Sequence, residues 1–282
     1  MRRRAVYAGS FYAGRENSLR DSIEECFKSQ LGPESLPEGV VHSGESLPYF
    51  LVPHAGYMYS GPVAASSYLE MSKYDPPETV IILGPNHTGL GAELGVPAEV
   101  TEWETPLGSV PINHDLIDQL MELNHLIRRN DSSHIQEHSI EVQLPFLQYI
   151  LDKPFEIVPI VMMNQSYDSS RMLGESLAGL TKKNNLAVIA SSDLTHFENH
   201  DSASRKDNQI LDAIVKMDSQ LMYDLKYKLN VSMCGYGPIA ATIEVAKQTE
   251  RVKSKLLNYA TSGDVTGDRR QVVGYGSAMF YK

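Results

Sequence analysis

The sequence predicts an α/β protein on a mainly parallel sheet, and three observations lead there. Apolar, strand-like runs alternate with helix-like stretches along all 282 residues. Three of those runs, at 49–52, 79–83 and 186–191, stop at small or turn-prone residues followed by a histidine: His54, His87 and His196. In open α/β sheets, ligands sit in the crevice beyond the carboxyl ends of the strands, so histidines delivered there stand where chemistry occurs. No linker or internal repeat divides the chain, so one domain over 1–282 is expected.

Residues 17–31 carry Leu19, Ile23, Phe27 and Leu31 at helical spacing, with Asn17 or Ser18 as caps. Residues 32–46, rich in Gly, Pro, Ser and Glu, read as a loop before the first strand at 49–52. The next helix is expected from about Ser60 to Lys73, with Pro62 in its first turn, where the missing N–H costs nothing. His54 and His87 are 33 residues apart, close to the ~30 of one βαβ unit. If their strands pair directly, the ends lie about 4.8 Å apart and two imidazoles can share one ion. Residues 93–112, broken by prolines and glycine, read as a hairpin or irregular excursion. Helices are expected at 115–126 and 139–151, with Pro145 kinking the second or marking its first turn. A strand at 155–163 and a helix at 169–181 come before the strand at 186–191. Helices at 202–217, 219–229 and 238–249 then lead to closing strands at 256–261 and 272–280.

Composition narrows the function. Apolar content of 42% and charged content of 21% are ordinary globular values. A net charge of -10, with Arg2-Arg3-Arg4 the only basic cluster, argues against nucleic acid as the partner. No signal peptide follows that cluster and no apolar run reaches membrane-spanning length, so a cytoplasmic protein without membrane attachment is expected. Two cysteines, Cys26 and Cys234, are too few for a disulfide framework.

Four segments carry chemistry. His54 is followed by Ala55, Gly56, Tyr57, Met58, Tyr59, Ser60 and Gly61, small residues that admit a ligand and tyrosines that offer hydroxyls. His87 follows Gly84-Pro85-Asn86, good turn chemistry in itself, and Asn86 can hold a neighbouring ring or a substrate oxygen. Asp193 and His196 put a carboxylate three residues from an imidazole, a pair suited to acid/base work near neutrality or, more plainly, to a helix cap. Cys234 precedes a helix start at Pro238, where thiol pKa values fall, and its flanking glycines suggest an exposed, reactive thiol. His134-Ile135-Gln136-Glu137-His138 also matches the H-x-x-E-H pattern of inverted zinc peptidases, but three fixed positions in five carry little weight. Glu137, His138 and Glu141 read better as supporting or structural residues.

These motifs resemble the Memo family, the middle component of the domain set called AmmeMemoRadiSam. The matching pieces are 8–12, 53–61, 84–87, 105–108, 137–141, 191–196 and 233–235, in order along nearly the whole chain, with Phe11 where the family commonly has tryptophan. The resemblance implies a three-layer αβα sandwich like that of class III extradiol ring-cleaving dioxygenases. Those enzymes hold non-haem iron with two histidines and a glutamate, and use a further histidine as acid/base. His54 and His87 fall on the histidine ligands, His196 on the acid/base, and Cys234 stands at the glutamate position. A thiolate there is softer than a carboxylate and oxidisable, so iron or copper is expected, zinc also fits, and no nucleotide cofactor is expected.

Two readings follow. In the first, His54, His87 and Cys234 hold a redox metal, His196 oriented by Asp193 moves protons, Tyr59, Asn86 and Phe11 touch a small-molecule or peptide substrate, and His138 and Glu141 support the ligands. In the second, the pocket is a non-enzymatic adaptor for a peptide or partner protein. A zinc peptidase ranks behind both. The resemblance also implies radical-SAM and AMMECR-type proteins as partners.

Overall fold

The computed structural model describes residues 1–181 and 185–282. The chain opens with β1 (Arg2–Arg3), α1 (Glu16–Lys28), β2 (Tyr49–Val52), α2 (Tyr57–Met71), β3 (Thr79–Pro85) and β4 (Leu94–Val96). A hairpin of β5 (Glu102–Thr105) and β6 (Gly108–Pro111) leads to α3 (His114–Leu123) and β7 (Ile127–Arg129). Two 3-10 turns, Asp131–Ser133 and Glu141–Gln143, bracket an irregular segment before α4 (Leu144–Ile150), β8 (Glu156–Met162) and α5 (Tyr167–Thr181). Then come β9 (Leu186–Ser191), β10 (His196–Glu198), α6 (His200–Val215), α7 (Ser219–Lys228), α8 (Tyr236–Gln248), β11 (Lys253–Thr261), α9 (Ser262–Thr266) and β12 (Val272–Tyr281).

Among the described residues, nine strands form one sheet in the order β10-β12-β2-β9-β3-β8-β4-β7, with β11 paired to β12. Strands β2, β9, β3 and β8 run parallel, whereas β12 is antiparallel to its neighbours and β4 to β8. The central strands are buried at every position. That explains their uninterrupted apolar sequences: helices cover both faces, α2 packing on β2, β11 and β12, and α8 on β2, β3 and β9. The result is a three-layer αβα sandwich. A smaller sheet, β1-β5-β6, carries the first residues against Trp103.

Three local expectations change. Helix α2 starts at Tyr57, so Pro62 lies in its second turn; the carbonyl it leaves unpaired belongs to Met58, an exposed residue. Pro145 sits in the first turn of α4, and the chain before it is a 3-10 turn rather than a longer helix. The third change bears on function. Strands β2 and β3 do not pair; β9 lies between them, contacting Phe50–Val52 on one side and Thr79–Leu83 on the other. The ends carrying His54 and His87 are thus about two strand spacings, roughly 9.6 Å, apart, and the side chains close the gap.

Candidate metal centre

The carboxyl ends of β2, β9 and β3 open onto one cluster. His54, fully buried, follows β2; His87, partly exposed, follows β3; and His138 enters from the irregular segment between the 3-10 turns. Ring centroids lie 5.2 Å apart for His54 and His87, 5.3 Å for His54 and His138, and 4.4 Å for His87 and His138. One ligand nitrogen from each ring lies within 4.8 Å of the others. Bonds of 2.0–2.1 Å to a tetrahedral ion place ligand atoms about 3.4 Å apart, so small ring rotations suffice.

The tautomers are fixed by neighbours. The Ser191 hydroxyl gives its one proton to the Ser139 carbonyl (2.7 Å) and accepts from Gln143 Nε2 (2.8 Å). Its bond to His54 Nδ1 (2.8 Å) must therefore be received from a protonated Nδ1, which leaves the Nε2 lone pair facing the centre. At His87, Nδ1 donates to Glu137 Oε1 (2.8 Å), so Nε2 is the ring nitrogen turned away from the carboxylate. Burial, then the neighbouring charge of His87, pushes the His54 ring far below the usual imidazole range. Burial, with the His54 and His87 rings close by to oppose a further proton, holds His138 down at about 3. Both rings are neutral at pH 7, the form that binds metal.

Glu137 is fully buried and accepts from the His87 backbone N–H (2.6 Å), the His87 ring and the Ser139 N–H (2.9 Å). Burial alone raises its pKa, but the His87 ring and backbone bonds outweigh it and bring it down to about 2. Asp193 is also buried, and burial pushes its carboxyl up against the hydrogen bond it accepts from the His54 N–H (2.8 Å). Among the described residues, neither carboxylate is paired with lysine or arginine; the ion-pair partners of Glu137 are His87 and His138.

Cys234 Sγ lies 3.1 Å from His54 Nε2 and accepts the Asp193 N–H at 3.2 Å. Gly235 makes this approach feasible, because a Cβ there would run into the Ser191 carbonyl and Ser192. The thiol differs from the sequence expectation: it is half-buried, and burial with the Asp193 charge pushes its pKa up.

The other candidates are placed as follows. His196 begins the edge strand β10, its backbone N–H on Ser232 Oγ (2.7 Å) and its Nδ1 buried without a partner among the described residues. It lies close enough to His54 and Asp193 for electrostatic interaction with both. Asp193 Oδ1 is given to the His54 backbone, so its orienting bond goes to His54. Phe11 packs on the His138 ring at 4.8 Å. The Asn86 amide closes its own loop, accepting from Thr88 and Gly89 and donating to Leu90. Tyr59 packs in a small cluster with Val63, Ala260 and Tyr275. Glu141, fully buried, pairs with Arg3 (2.6 Å) and accepts from Tyr12 and the Tyr7 N–H. His134 and His138 share no site: the chain between them is turn, not helix, and His134 is buried edge-on to Trp103. The motif expected of a zinc peptidase is therefore not assembled. Ser191, Gln143 and Arg3, which organise the cluster, do not stand out in the sequence: Ser191 only opens the 191–196 piece, Arg3 lies in the basic triplet, and Gln143 carries no motif.

This is a mixed α/β protein with a three-histidine cluster that could hold a metal ion at the carboxyl edge of its sheet. The Memo-like protein family matches residues 3–279, and the chain belongs to that family. Among similar proteins, a MEMO1 family protein of Methanopyrus kandleri is 44% identical over 283 residues, covering 99% of both chains. Another, of Sulfolobus acidocaldarius, is 45% identical over 277 residues, covering 97% of each. The crystal structure of an uncharacterized Escherichia coli K12 protein shares the fold with a TM-score of 0.57 at 13% identity, covering 83% of this chain and 99% of that one. No helix among the described residues is long and apolar enough to cross a membrane.

Proposed function

We propose that this protein binds a redox-active transition metal, iron or copper, through His54, His87 and His138, with Cys234 as a further donor beside His54. The observation that carries this is the convergence of three imidazoles, two of them with Nδ1 already held by a buried neighbour. A second supports it: the carboxylates of Glu137 and Asp193 are buried beside the rings without a lysine or arginine partner among the described residues, and a cation at the centre would compensate them. Bound there, iron or copper would supply Lewis-acid and one-electron chemistry to a ligand at its open positions. The protein's own part is to exclude water around His54, to hold the rings, and to offer His196 Nδ1 as a proton carrier to a small-molecule or peptide substrate.

Metal content after anaerobic purification tests the reading. A stoichiometric ion that is lost in His54→Ala and His138→Ala is expected. Full retention in both variants sinks the proposal.

The adaptor reading has one observation in its favour. Phe197, beside His196, is 72% exposed, and its backbone is left-handed at φ 59°. An exposed phenyl held in a strained conformation at a bulge in β10 suits contact with a partner. Oxygen consumption by metal-loaded protein with a catechol panel separates the two: turnover favours the enzyme, whereas peptide binding without turnover favours the adaptor.

A further inference from the structure

Strand β1 alternates, so the basic run at the start of the chain splits. Arg2 is exposed and pairs with Glu102 and Glu104, while the Arg3 side chain is 2% exposed and lies 4.2 Å over the Trp103 ring. Arg3 Nε donates to the His134 carbonyl (2.7 Å), Nη2 to the Glu137 carbonyl (2.8 Å), and Nη1 to Glu141 Oε2 (2.6 Å). These three grips fall along one irregular segment whose own backbone bonds are short-range turn bonds, and whose other anchors include contacts from Tyr7, Tyr12, His87 and Ser191. The same segment presents Glu137 to His87 and His138 to the centre. A planar guanidinium can hold several acceptors in fixed relative positions, which a point charge cannot.

We propose that Arg3 is a positioning residue of the metal centre, shaping the segment from His134 to Glu141 so that His138 meets His54 and His87. This rests on the three-histidine reading above. Arg3 touches no ion; it acts through the backbone that carries His138.

Co2+ titration of the metal-free full chain, followed by its visible absorption bands, tests this. Arg3→Lys keeps a cation for Glu141 but gives up the fork, and Arg2→Gln alters only the exposed pair. Arg3→Lys is expected to weaken Co2+ binding by about tenfold, the lower end of losses seen when outer-shell partners change. Its bands should move toward those of His138→Ala, and the combined variant should bind no more weakly than His138→Ala alone. Arg2→Gln should match the unaltered chain. Folded Arg3→Lys with unaltered affinity and bands, even with a lowered Tm, overturns the proposal. Should Arg3→Lys fail to fold, Glu141→Gln, which keeps acceptors for Tyr7 and Tyr12, takes its place: shifted bands support the proposal and unshifted bands overturn it. If His54→Ala abolishes Co2+ binding while His138→Ala leaves it intact, the three-histidine reading itself fails, and the role of Arg3 with it.

Discussion

Glu137→Gln separates an orienting carboxylate from a merely structural one. The carboxylate accepts three bonds, from the His87 N–H at 2.6 Å, the His87 ring at 2.8 Å and the Ser139 N–H at 2.9 Å. An amide keeps one oxygen, which can serve the ring and Ser139, but its NH2 group then faces the His87 N–H. One charge-assisted bond, about 1.5–3 kcal/mol, is lost, and a donor meets a donor in a buried place. Removing a buried charge offsets part of that, so a net destabilisation of about 2 kcal/mol is expected. The effect on metal should be separate and larger in proportion: with a neutral amide in place of the carboxylate, the His87 imidazole is less basic and less firmly oriented, and affinity should fall about 10–100-fold. Co2+ or Zn2+ competition against a fluorescent chelator measures the second effect, and thermal unfolding of the metal-free chain the first. A lowered Tm with metal affinity within about threefold of the unaltered protein would refute the orienting role.

Other outcomes follow from single contacts. Ser191→Ala leaves the His54 Nδ1–H and a Gln143 N–H without their shared acceptor, and should cost about 2–4 kcal/mol; it should also let His54 sample its other tautomer, so unchanged ring 15N shifts would count against the assignment. Gly235→Ala sets a methyl against the Ser191 carbonyl and should cost about 1–3 kcal/mol while shifting Cys234 away from His54; slower reaction of Cys234 with a thiol reagent on metal addition in the unaltered chain, but not in the variant, checks this. Asp131 accepts from the N–H groups of Ala98, Glu99 and Val100; burial works against these bonds, but they prevail and lower its pKa. Its stabilising effect is therefore complete above the unfolded-state value of about 3.9 and fades as pH falls through the folded-state value. The Tm gap between the unaltered chain and Asp131→Asn should shrink from pH 7 to pH 3, and a gap that widens refutes the sign.

The strands were legible because each central run is apolar throughout and ends at a turn, and burial on both faces demands nothing else of them. Strand order was not legible. Nothing in 49–52 or 79–83 says that 186–191 will lie between them, because order depends on how crossovers pack rather than on local spacing. His138 was visible through H-x-x-E-H and the 137–141 piece, and reads there as a support rather than a ligand; the first pattern depends on a helix that does not form here, and in a turn the same five residues send His134 into the core and His138 to the centre. Arg3 was hidden within a basic triplet, since a two-residue strand is too short to show alternation. Asn86 offers the opposite lesson: it reads as a substrate contact with a turn as the plainer alternative, and here the turn uses the whole amide.

The inserted strand explains more than spacing. From its end, Ser191 fixes the His54 ring, Asp193 accepts the His54 N–H, and the Asp193 N–H holds Cys234 Sγ. The other ring is governed from the far side, where Glu137 holds both the backbone and the imidazole of His87. Ser139 joins the two devices, its carbonyl receiving the Ser191 hydroxyl and its N–H donating to Glu137. The chain of contacts therefore runs from the His54 ring through Ser191, Ser139 and Glu137 to the His87 ring without leaving the protein interior. Rings on strands that do not touch are thus set relative to one another by a buried network, which resists rotation better than two independent loops would. Each link is polar and desolvated, so breaking one leaves unpaired groups at both of its ends. An arrangement of that kind stabilises a single ring geometry, and single geometry is what a metal centre requires of its ligands.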